Sequence, residues 1–405
     1  MMRRRIVVVG ASLAGLRTAE ALRRLGHQGP ITIVGAEPHT PYDRPPLSKD
    51  LLSGRATPAG IRLPQATDLK ADWMLGVAAA ALHSDVRQVE LADGRMLRYD
   101  GLVIATGVRA APGGQGALML RSLDDAIAIR DQLRPGRRVA VLGGGFLGNE
   151  IAAVARQRGC EVDLVMRQAL PLLAAAGEPV AALVAELHCR AGVVLHQLSE
   201  ELRYSADLVV AATGTVSNTE WLHGSGLLPA ADGLQCDERL RPLRTDGSAI
   251  PDVVAAGDVV RWPHTLADGE LVALGHWSNA VDQAETAARN LLFPTQQRPF
   301  IAVPSFWSDL YGAQLRAVGL PRLGTPRIEE HDPDRNRLVV TYHRDSRLVG
   351  ALTVNRSSRL ARYHADLANH MLSRSARMSQ VAGCLVSGSR AGSEENTPPV
   401  ARSCL

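Results

Sequence analysis

The chain is poor in cysteine, and its cysteines follow no recognisable pattern. No Cys-x-x-Cys pair occurs among Cys160, Cys189, Cys236, Cys384 and Cys404. Such scatter argues against a disulfide framework, a zinc site or a dithiol redox centre. We therefore interpret these residues as inert thiols.

Long apolar runs are also missing. No stretch reaches the roughly 18 apolar residues that a membrane span requires, and the apolar run Ile6–Val9 is too short for a signal peptide. The net charge of +4 is mild, and no pattern of basic and aromatic residues suggests nucleic-acid binding. We expect a cytoplasmic protein, monomeric or homodimeric, that binds neither membrane nor nucleic acid.

Lysine is nearly absent as well. Of the 45 Lys and Arg residues, only Lys49 and Lys70 are lysine. In such a chain, a lysine is kept either by chance or because its position requires a compact ammonium group.

What the chain contains is one supersecondary unit present twice. In the first copy, strand Ile6–Val9 leads to a glycine turn at residues 10–15, then a helix and a strand at residues 31–34. The second copy has a strand at residues 139–142, a glycine turn at 143–148, a helix to 159 and a strand at 161–165. Each is typical of a dinucleotide-binding βαβ unit. Finding it twice matters because a single glycine motif is weak evidence.

The first turn suits a pyrophosphate at a helix N-terminus. Gly10 permits the tight bend, Gly15 permits close packing of helix and strand, and Ser12 is a small replacement for the middle glycine. Glu37 follows the second strand, where an acidic residue would accept hydrogen bonds from an adenosine ribose. A purely structural turn without a ligand remains the alternative.

The second turn has all three glycines, Gly143, Gly145 and Gly148, but its second strand ends at Arg167 without a carboxylate. A carboxylate there would favour NADH, whereas an arginine can pair with the 2′-phosphate of NADPH. Arg167 therefore favours NADPH, with an ordinary surface arginine as the alternative. Further apolar strands end at Thr106-Gly107, at Gly214 and at Gly257-Asp258. The last carboxylate suits a polyol such as a ribityl chain.

With these pieces in order, residues 4 to about 372 resemble the flavin-dependent ferredoxin reductases that serve cytochromes P450 and aromatic-ring dioxygenases. The segments that carry the resemblance are residues 41–49 (PYDRPPLSK), 105–107 (ATG), 143–150 (GGGFLGNE), 255–258 (AAGD), 276–277 (HW) and 306–312 (FWSDLYG).

The resemblance implies FAD, NADPH or NADH, and a [2Fe-2S] ferredoxin acceptor. It also implies that Lys49 lies beside the flavin and that Glu150 faces the nicotinamide. The other FAD contacts it implies are Ala14, Glu37, Arg44, Ala79, Arg130, Asp258, His276, Trp277 and Trp307.

The implied architecture is α/β, with two Rossmann-like dinucleotide-binding domains plus a small α+β C-terminal domain. We predict an FAD-binding domain at residues 1–112 and 240–297, an NAD(P)-binding domain at 113–239, a C-terminal α+β interface domain at 298–372 and a disordered tail at 373–405.

Three departures from the family pattern leave other functions open. The connection between residues 193 and 207 is short, Gly275 replaces an acidic residue, and Leu310 replaces a glutamine. One alternative is a repurposed flavoenzyme that acts directly on a small molecule. Another is a redox-responsive interaction protein similar to apoptosis-inducing factor. Relatives with a redox cysteine beside the flavin are excluded, since no cysteine precedes Cys160.

Overall fold

A computed structural model describes residues 4–199 and 205–388, with the backbone alone for residues 375–388. Within this part of the chain the α-helices are α1 (Leu13–Arg24), α2 (Asp50–Ser53), α3 (Leu123–Arg130), α4 (Phe146–Gln157), α5 (Leu173–Ala191), α6 (Trp277–Leu292) and α7 (Leu360–Gly388). None of these helices is both long and apolar enough to cross a membrane.

The strands of the first half are β1 (Ile6–Val9), β2 (Ile31–Gly35), β3 (Asp72–Leu75), β4 (Ala79–His83), β5 (Gln88–Leu91), β6 (Met96–Arg98), β7 (Gly101–Ile104), β8 (Val108–Ala110), β9 (Leu118–Met119), β10 (Arg138–Leu142), β11 (Glu161–Met166) and β12 (Val193–Gln197). Those of the second half are β13 (Leu208–Ala211), β14 (Thr215–Ser217), β15 (Pro229–Ala230), β16 (Gly233–Gln235), β17 (Val253–Ala255), β18 (Val260–Pro263), β19 (Leu271–Ala273), β20 (Ser305–Leu310), β21 (Ala313–Gly319), β22 (Thr325–Asp332), β23 (Arg337–Arg344) and β24 (Arg347–Val354).

Two five-stranded parallel sheets share one strand arrangement. The first has the order β17-β7-β1-β2-β3 and the second β9-β13-β10-β11-β12. In each sheet the strand before the glycine turn lies at the centre, and its helix, α1 or α4, crosses to the next strand. Such strands are buried on both faces, which explains why they read as short apolar runs.

The two units differ in the connection that follows their third strand. In the first, the antiparallel sheet β4-β5-β6 stands between β3 and β7. In the second, β12 ends at Gln197 and β13 begins at Leu208, and the described residues between them form no strand. Residues 200–204 of this connection lie outside the described residues.

The C-terminal unit is an antiparallel sheet of order β20-β21-β24-β23-β22 followed by α7. One face packs on α5 of the second unit, where Leu315 and Val340 meet Val180 and Val184. The other packs on α7 through Leu367 and Met371. The sheet also lies beside the second dinucleotide turn, because Phe306 of β20 packs edge-on against Phe146 at the start of α4.

Two boundaries differ from those expected. Residues 221–240 belong to the core of the first unit through Leu222 and Leu234, and β16 pairs with β18. The chain thus returns to the first unit earlier than residue 240, because β18 offers this segment a strand to pair with. The closing helix was expected to end at Leu372, but it continues to Gly388. The residues in between contain no proline that would end it. The remaining tail lies outside the described residues, and the other domain limits stay a prediction.

Candidate active site

The first glycine turn leaves no space for a side chain at Gly10 or at Gly15. Gly10 has φ +123°, and a Cβ there would lie 2.0 Å from the carbonyl oxygen of Ala105. A Cβ on Gly15 would lie 1.8 Å from the carbonyl oxygen of Gly10. Ser12 caps α1 without a side-chain hydrogen bond, so the first N–H groups of this helix stay available to an anion.

The second turn repeats this geometry. Gly143 again has φ +123°, and its Cβ would lie 2.2 Å from the carbonyl oxygen of Ala212. A Cβ on Gly148 would lie 1.8 Å from the carbonyl oxygen of Gly143. Gly145, at the N-cap of α4, has nothing within 4 Å of the place a Cβ would occupy. A phosphate can therefore approach this backbone closely.

A chain of polar contacts leads away from the first turn. Glu37 accepts hydrogen bonds from the Tyr42 hydroxyl and, at 2.5 Å, from Arg44. Arg44 also donates to the carbonyl oxygen of Arg121 at 2.6 Å. The Arg121 guanidinium pairs with Asp258 at 2.8 Å. The predicted ribose and ribityl carboxylates are thus joined through two arginines.

Arg121 lies among the residues predicted to contact FAD, beside Arg44 and Asp258. It precedes α3, and with Arg44, Ser48 and Gly214 it lines an open cleft. Arg130 ends the same helix, and its guanidinium pairs with its neighbour Asp131 at 3.0 Å. We therefore propose that Arg121, in place of Arg130, reaches the FAD site from the second unit. A capping box begins at Ser122, so the sequence could place Arg121 directly before the N-terminus of α3.

A buried ion pair joins the two units. Lys49 Nζ lies 2.6 Å from Glu150 Oε1, and the two side chains are 18% and 7% exposed. Ser308 of β20 donates to the same oxygen at 2.6 Å, and Ser48 donates to Oε2. Lys49 stands between a 3-10 helix at Pro45–Ser48 and α2. All three parts of the chain therefore meet at one carboxylate.

Aromatic side chains lie at the start of α6. The indole of Trp277 donates to Asp43 at 2.8 Å, and its ring meets Trp307 edge-on, with centroids 6.1 Å apart. Trp307 is 37% exposed. His276 packs on Phe306, with ring centroids 4.9 Å apart.

His276 is suited to contact a ligand. Burial lowers the pKa of His276 to about 4, so the ring is neutral near pH 7. Its buried Nδ1 has no hydrogen-bond partner among the described residues. Because buried polar atoms in native proteins are normally hydrogen-bonded, this atom suits a polar edge of a bound group. The residues around the first turn therefore fit FAD.

The remaining predicted residues are distributed around both turns. Ala14 is buried on α1 beside Gly257, and Ala79 begins β4, just after Val77 hydrogen-bonds to Gly35 at the end of β2. Thr106 donates to the carbonyl oxygen of Asn218 at 2.8 Å. Gly107 and Gly214 have positive φ values, and Gly214 faces open space.

Arg167 follows β11 and is exposed. It forms no ion pair with a described residue, and only its carbonyl oxygen is engaged, accepting from Gln197 at 3.4 Å. Its guanidinium is therefore available to an anionic ligand at the tip of this strand.

Residues 4–284 match the family described as pyridine nucleotide-disulphide oxidoreductase, and residues 305–382 match the one described as reductase C-terminal. The first match spans more than half of the chain. The chain belongs to the pyridine nucleotide-disulphide oxidoreductase family.

Relatives within this family are reductases. The chain is 36% identical to the ferredoxin–NAD(+) reductase component of the anthranilate 1,2-dioxygenase system of Burkholderia cepacia, covering 86% of this chain and 90% of that protein. It is 35% identical to putidaredoxin reductase of Pseudomonas putida, covering 87% and 88%. The crystal structure of a covalent putidaredoxin reductase–putidaredoxin complex matches with a TM-score of 0.82 and 30% identity, over 91% of this chain and 93% of that chain.

These similarities confirm the resemblance and the fold class. They also confirm that the protein is an NAD(P)H-dependent flavoprotein oxidoreductase that uses FAD. Unlike the disulfide reductases for which the family is named, this member has no cysteine before Cys160.

Proposed function

We propose that the protein is an NAD(P)H:ferredoxin oxidoreductase. It passes electrons singly to a [2Fe-2S] ferredoxin, which then supplies a cytochrome P450 or a dioxygenase. The observation that carries the proposal is the Lys49–Glu150 contact of 2.6 Å, which joins the two dinucleotide-binding units at one point. The cytoplasm, where NAD(P)H is available, is the proposed location.

Each residue of this junction has a role in the proposal. FAD, when bound, accepts a hydride and can release its electrons one at a time. Lys49 supplies a compact positive charge on the side of the first turn, and Glu150 fixes the position of that charge from α4. The glycines of the second turn orient the dinucleotide, which is how binding brings reacting atoms together.

Single-electron exit to a protein is supported by the residues at the surface. The first unit holds no cysteine pair, since Cys236, its one cysteine among the described residues, is buried and free, so a dithiol cannot carry the electrons away. Between residues 298 and 377 there are 13 arginines against 7 Asp and Glu residues. Arg322, Arg327 and Arg337 form no ion pair with a described residue. A basic excess of this kind is suited to steering an acidic partner to the C-terminal unit.

Stopped-flow reoxidation tests this proposal. The protein is reduced anaerobically with NAD(P)H and then mixed with a [2Fe-2S] ferredoxin or with buffer, and the flavin absorbance is followed. We expect rapid reoxidation only with the ferredoxin, and a rate that falls as salt screens the basic surface. Reoxidation that ignores every ferredoxin but responds to a small organic acceptor would instead support the direct flavoenzyme.

We further propose that the preferred donor is NADPH. The support is Arg167 at the tip of β11, which is exposed and forms no ion pair with a described residue, at a place where a carboxylate would otherwise bind the ribose of NADH. Flavin reduction by NADPH and by NADH is compared in the protein and in Arg167→Ala. We expect NADPH to be preferred and the preference to disappear in the variant. A preference for NADH above about tenfold, or about 1.4 kcal/mol, contradicts this part of the proposal.

A further inference from the structure

A largely buried polar chain connects the second glycine turn to the C-terminal unit. His188 of α5 is 0% exposed, as is Asn149 of α4. The imidazole Nε2 lies 2.8 Å from Asn149 Oδ1, and Nδ1 lies 2.9 Å from the hydroxyl of Tyr311. Tyr311 stands in the turn between β20 and β21. The chain thus crosses from the C-terminal hairpin through α5 to the residue next to Glu150.

The direction of each hydrogen bond follows from its far end. Asn149 Nδ2 donates to the carbonyl oxygens of Gly144 and Gly145, at 3.0 and 2.7 Å. Because these carbonyls can only accept, the amide oxygen of Asn149 must face His188, whose Nε2 therefore donates. Nδ1 is then the acceptor, and the Tyr311 hydroxyl donates to it. Burial lowers the pKa of His188 to about 4 and raises that of Tyr311, which keeps both groups in these forms near pH 7.

The backbone of Tyr311 supports a role beyond packing. Tyr311 and Gly312 form the two-residue turn of the hairpin, with φ values of 52° and 84°. Turns with two positive φ values favour Asn-Gly or Asp-Gly, and an aromatic residue in the left-handed region is uncommon. Glycine would avoid the strain at position 311 but could not supply a hydroxyl to His188. Strained residues that persist in this way cluster at functional sites.

The same hairpin makes another contact with α4, the helix that follows the second glycine turn. Ser308, three residues before Tyr311, donates to Glu150 at 2.6 Å. Residues 149 and 150 of α4 are therefore both held from the C-terminal unit, one through His188 and one directly.

We propose that His188 is a positioning residue of the nicotinamide dinucleotide site, held by Tyr311 and acting through Asn149 on the carbonyls of the glycine turn. Each of these carbonyls shares a peptide group with the N–H of the next residue, so fixing the carbonyls also fixes the N–H groups that would face the phosphates of a bound dinucleotide. The C-terminal hairpin is in this way part of the dinucleotide site. The inference rests on the proposed role of the second turn in binding NAD(P)H.

Tyr311→Phe tests the inference, because it removes one hydroxyl and leaves Nδ1 without a donor. Tyr342→Phe is the matched control. The Tyr342 hydroxyl is also buried in the C-terminal sheet and donates across the same boundary to the carbonyl oxygen of Ala176 at 2.6 Å. The readouts are the dissociation constant of the oxidised holoprotein for NADP+ by calorimetry, its FAD content and its Tm.

We expect Tyr311→Phe to weaken NADP+ binding about tenfold at unchanged FAD content, and Tyr342→Phe to lower Tm without changing NADP+ affinity. Asn149→Ala, which removes the contacts to both glycine carbonyls, should weaken NADP+ binding at least as much and provides the test if Tyr311→Phe does not fold. Unchanged affinity in these variants, or an equal loss in the Tyr342 control, would overturn the inference alone. A wild-type protein that bound neither NADP+ nor NAD+ would overturn the proposed role of the second turn and with it the inference.

Discussion

Lys49 and Glu150 form an ion pair across the boundary between the two Rossmann-like units, with Nζ 2.6 Å from Oε1. Lys49 is one of only two lysines in a chain that otherwise uses arginine. The pair is mostly buried, and two serine hydroxyls satisfy the carboxylate. An ion pair in such a place is costly to break, since the remaining charge stays buried without a partner.

Lys49→Met should therefore destabilise the protein by about 3 kcal/mol, because it strands the Glu150 carboxylate. The double variant Lys49→Met/Glu150→Gln should regain much of this stability without regaining fast flavin reduction by NAD(P)H. Urea unfolding and stopped-flow absorbance measure the two effects. The matched control is Lys70→Met at the other lysine, which is exposed, and it should change stability by less than about 0.5 kcal/mol. A double variant that reduces its flavin at the wild-type rate would show that the pair is only structural.

Gly10→Ala should yield protein with little or no bound FAD. Its Cβ would lie 2.0 Å from a backbone oxygen, so the turn has to open. Gly94→Ala is the control for positive φ alone, with φ +84° and nothing within 4 Å, and should cost about 1 kcal/mol. The FAD content per chain, measured from the visible absorbance, separates the two variants. Full FAD content in Gly10→Ala would contradict the assignment of this turn.

Arg121→Ala should raise the dissociation constant for FAD by at least about tenfold, because a charged hydrogen bond contributes roughly 1.5–3 kcal/mol and Asp258 loses its partner. Arg130→Ala should leave FAD affinity unchanged, since its guanidinium pairs with Asp131. Fluorescence titration of the apoproteins with FAD compares them. A loss of FAD affinity in Arg130→Ala that exceeds the loss in Arg121→Ala would instead support Arg130 as the FAD contact.

Stability should fall as the pH drops from 6.5 towards 4, because three buried histidines stay neutral in the folded protein. Burial lowers the pKa of His188, His264 and His276 to about 4 each. Below pH 6.5 the unfolded chain binds protons that the folded chain does not, so each histidine lowers stability by about 2 kcal/mol between pH 7.5 and 5.0. His264→Asn keeps an acceptor for the amide of Leu266 and should lose one such contribution. Urea unfolding at both pH values measures the difference, and an unchanged pH dependence in the variant would refute the assignment.

The sequence predicted the parts of the molecule that depend on local patterns. The two glycine turns, their strands and helix α6 were all expected. The positive φ values of Gly10 and Gly143 favour glycine, and the buried strands appear as short apolar runs, so both features can be recognised in the sequence. The unusual lysine at position 49 was also recognisable, although the contact between its partner Glu150 and Ser308 was not. That contact depends on how β20 packs beside α4.

Other features depend on packing between distant segments and could not be read locally. Arg121 and Arg130 are both arginines near α3, and only the fold shows which of them faces Asp258. The early return of the chain at Leu222 and Leu234 depends on a pairing with β18. His188 belongs to no sequence motif. Its proposed role could not be predicted, because it depends on contact with a tyrosine 123 residues later in the chain.

The electron count of one turnover tests the central claim most directly. A limiting amount of NADPH is added anaerobically to the protein with an excess of oxidised [2Fe-2S] ferredoxin, and reduced ferredoxin is measured by its absorbance. The account predicts two reduced ferredoxins for each NADPH, with no reduction in Gly10→Ala protein that lacks FAD. Consumption of NADPH in the wild-type protein without reduction of ferredoxin would contradict it.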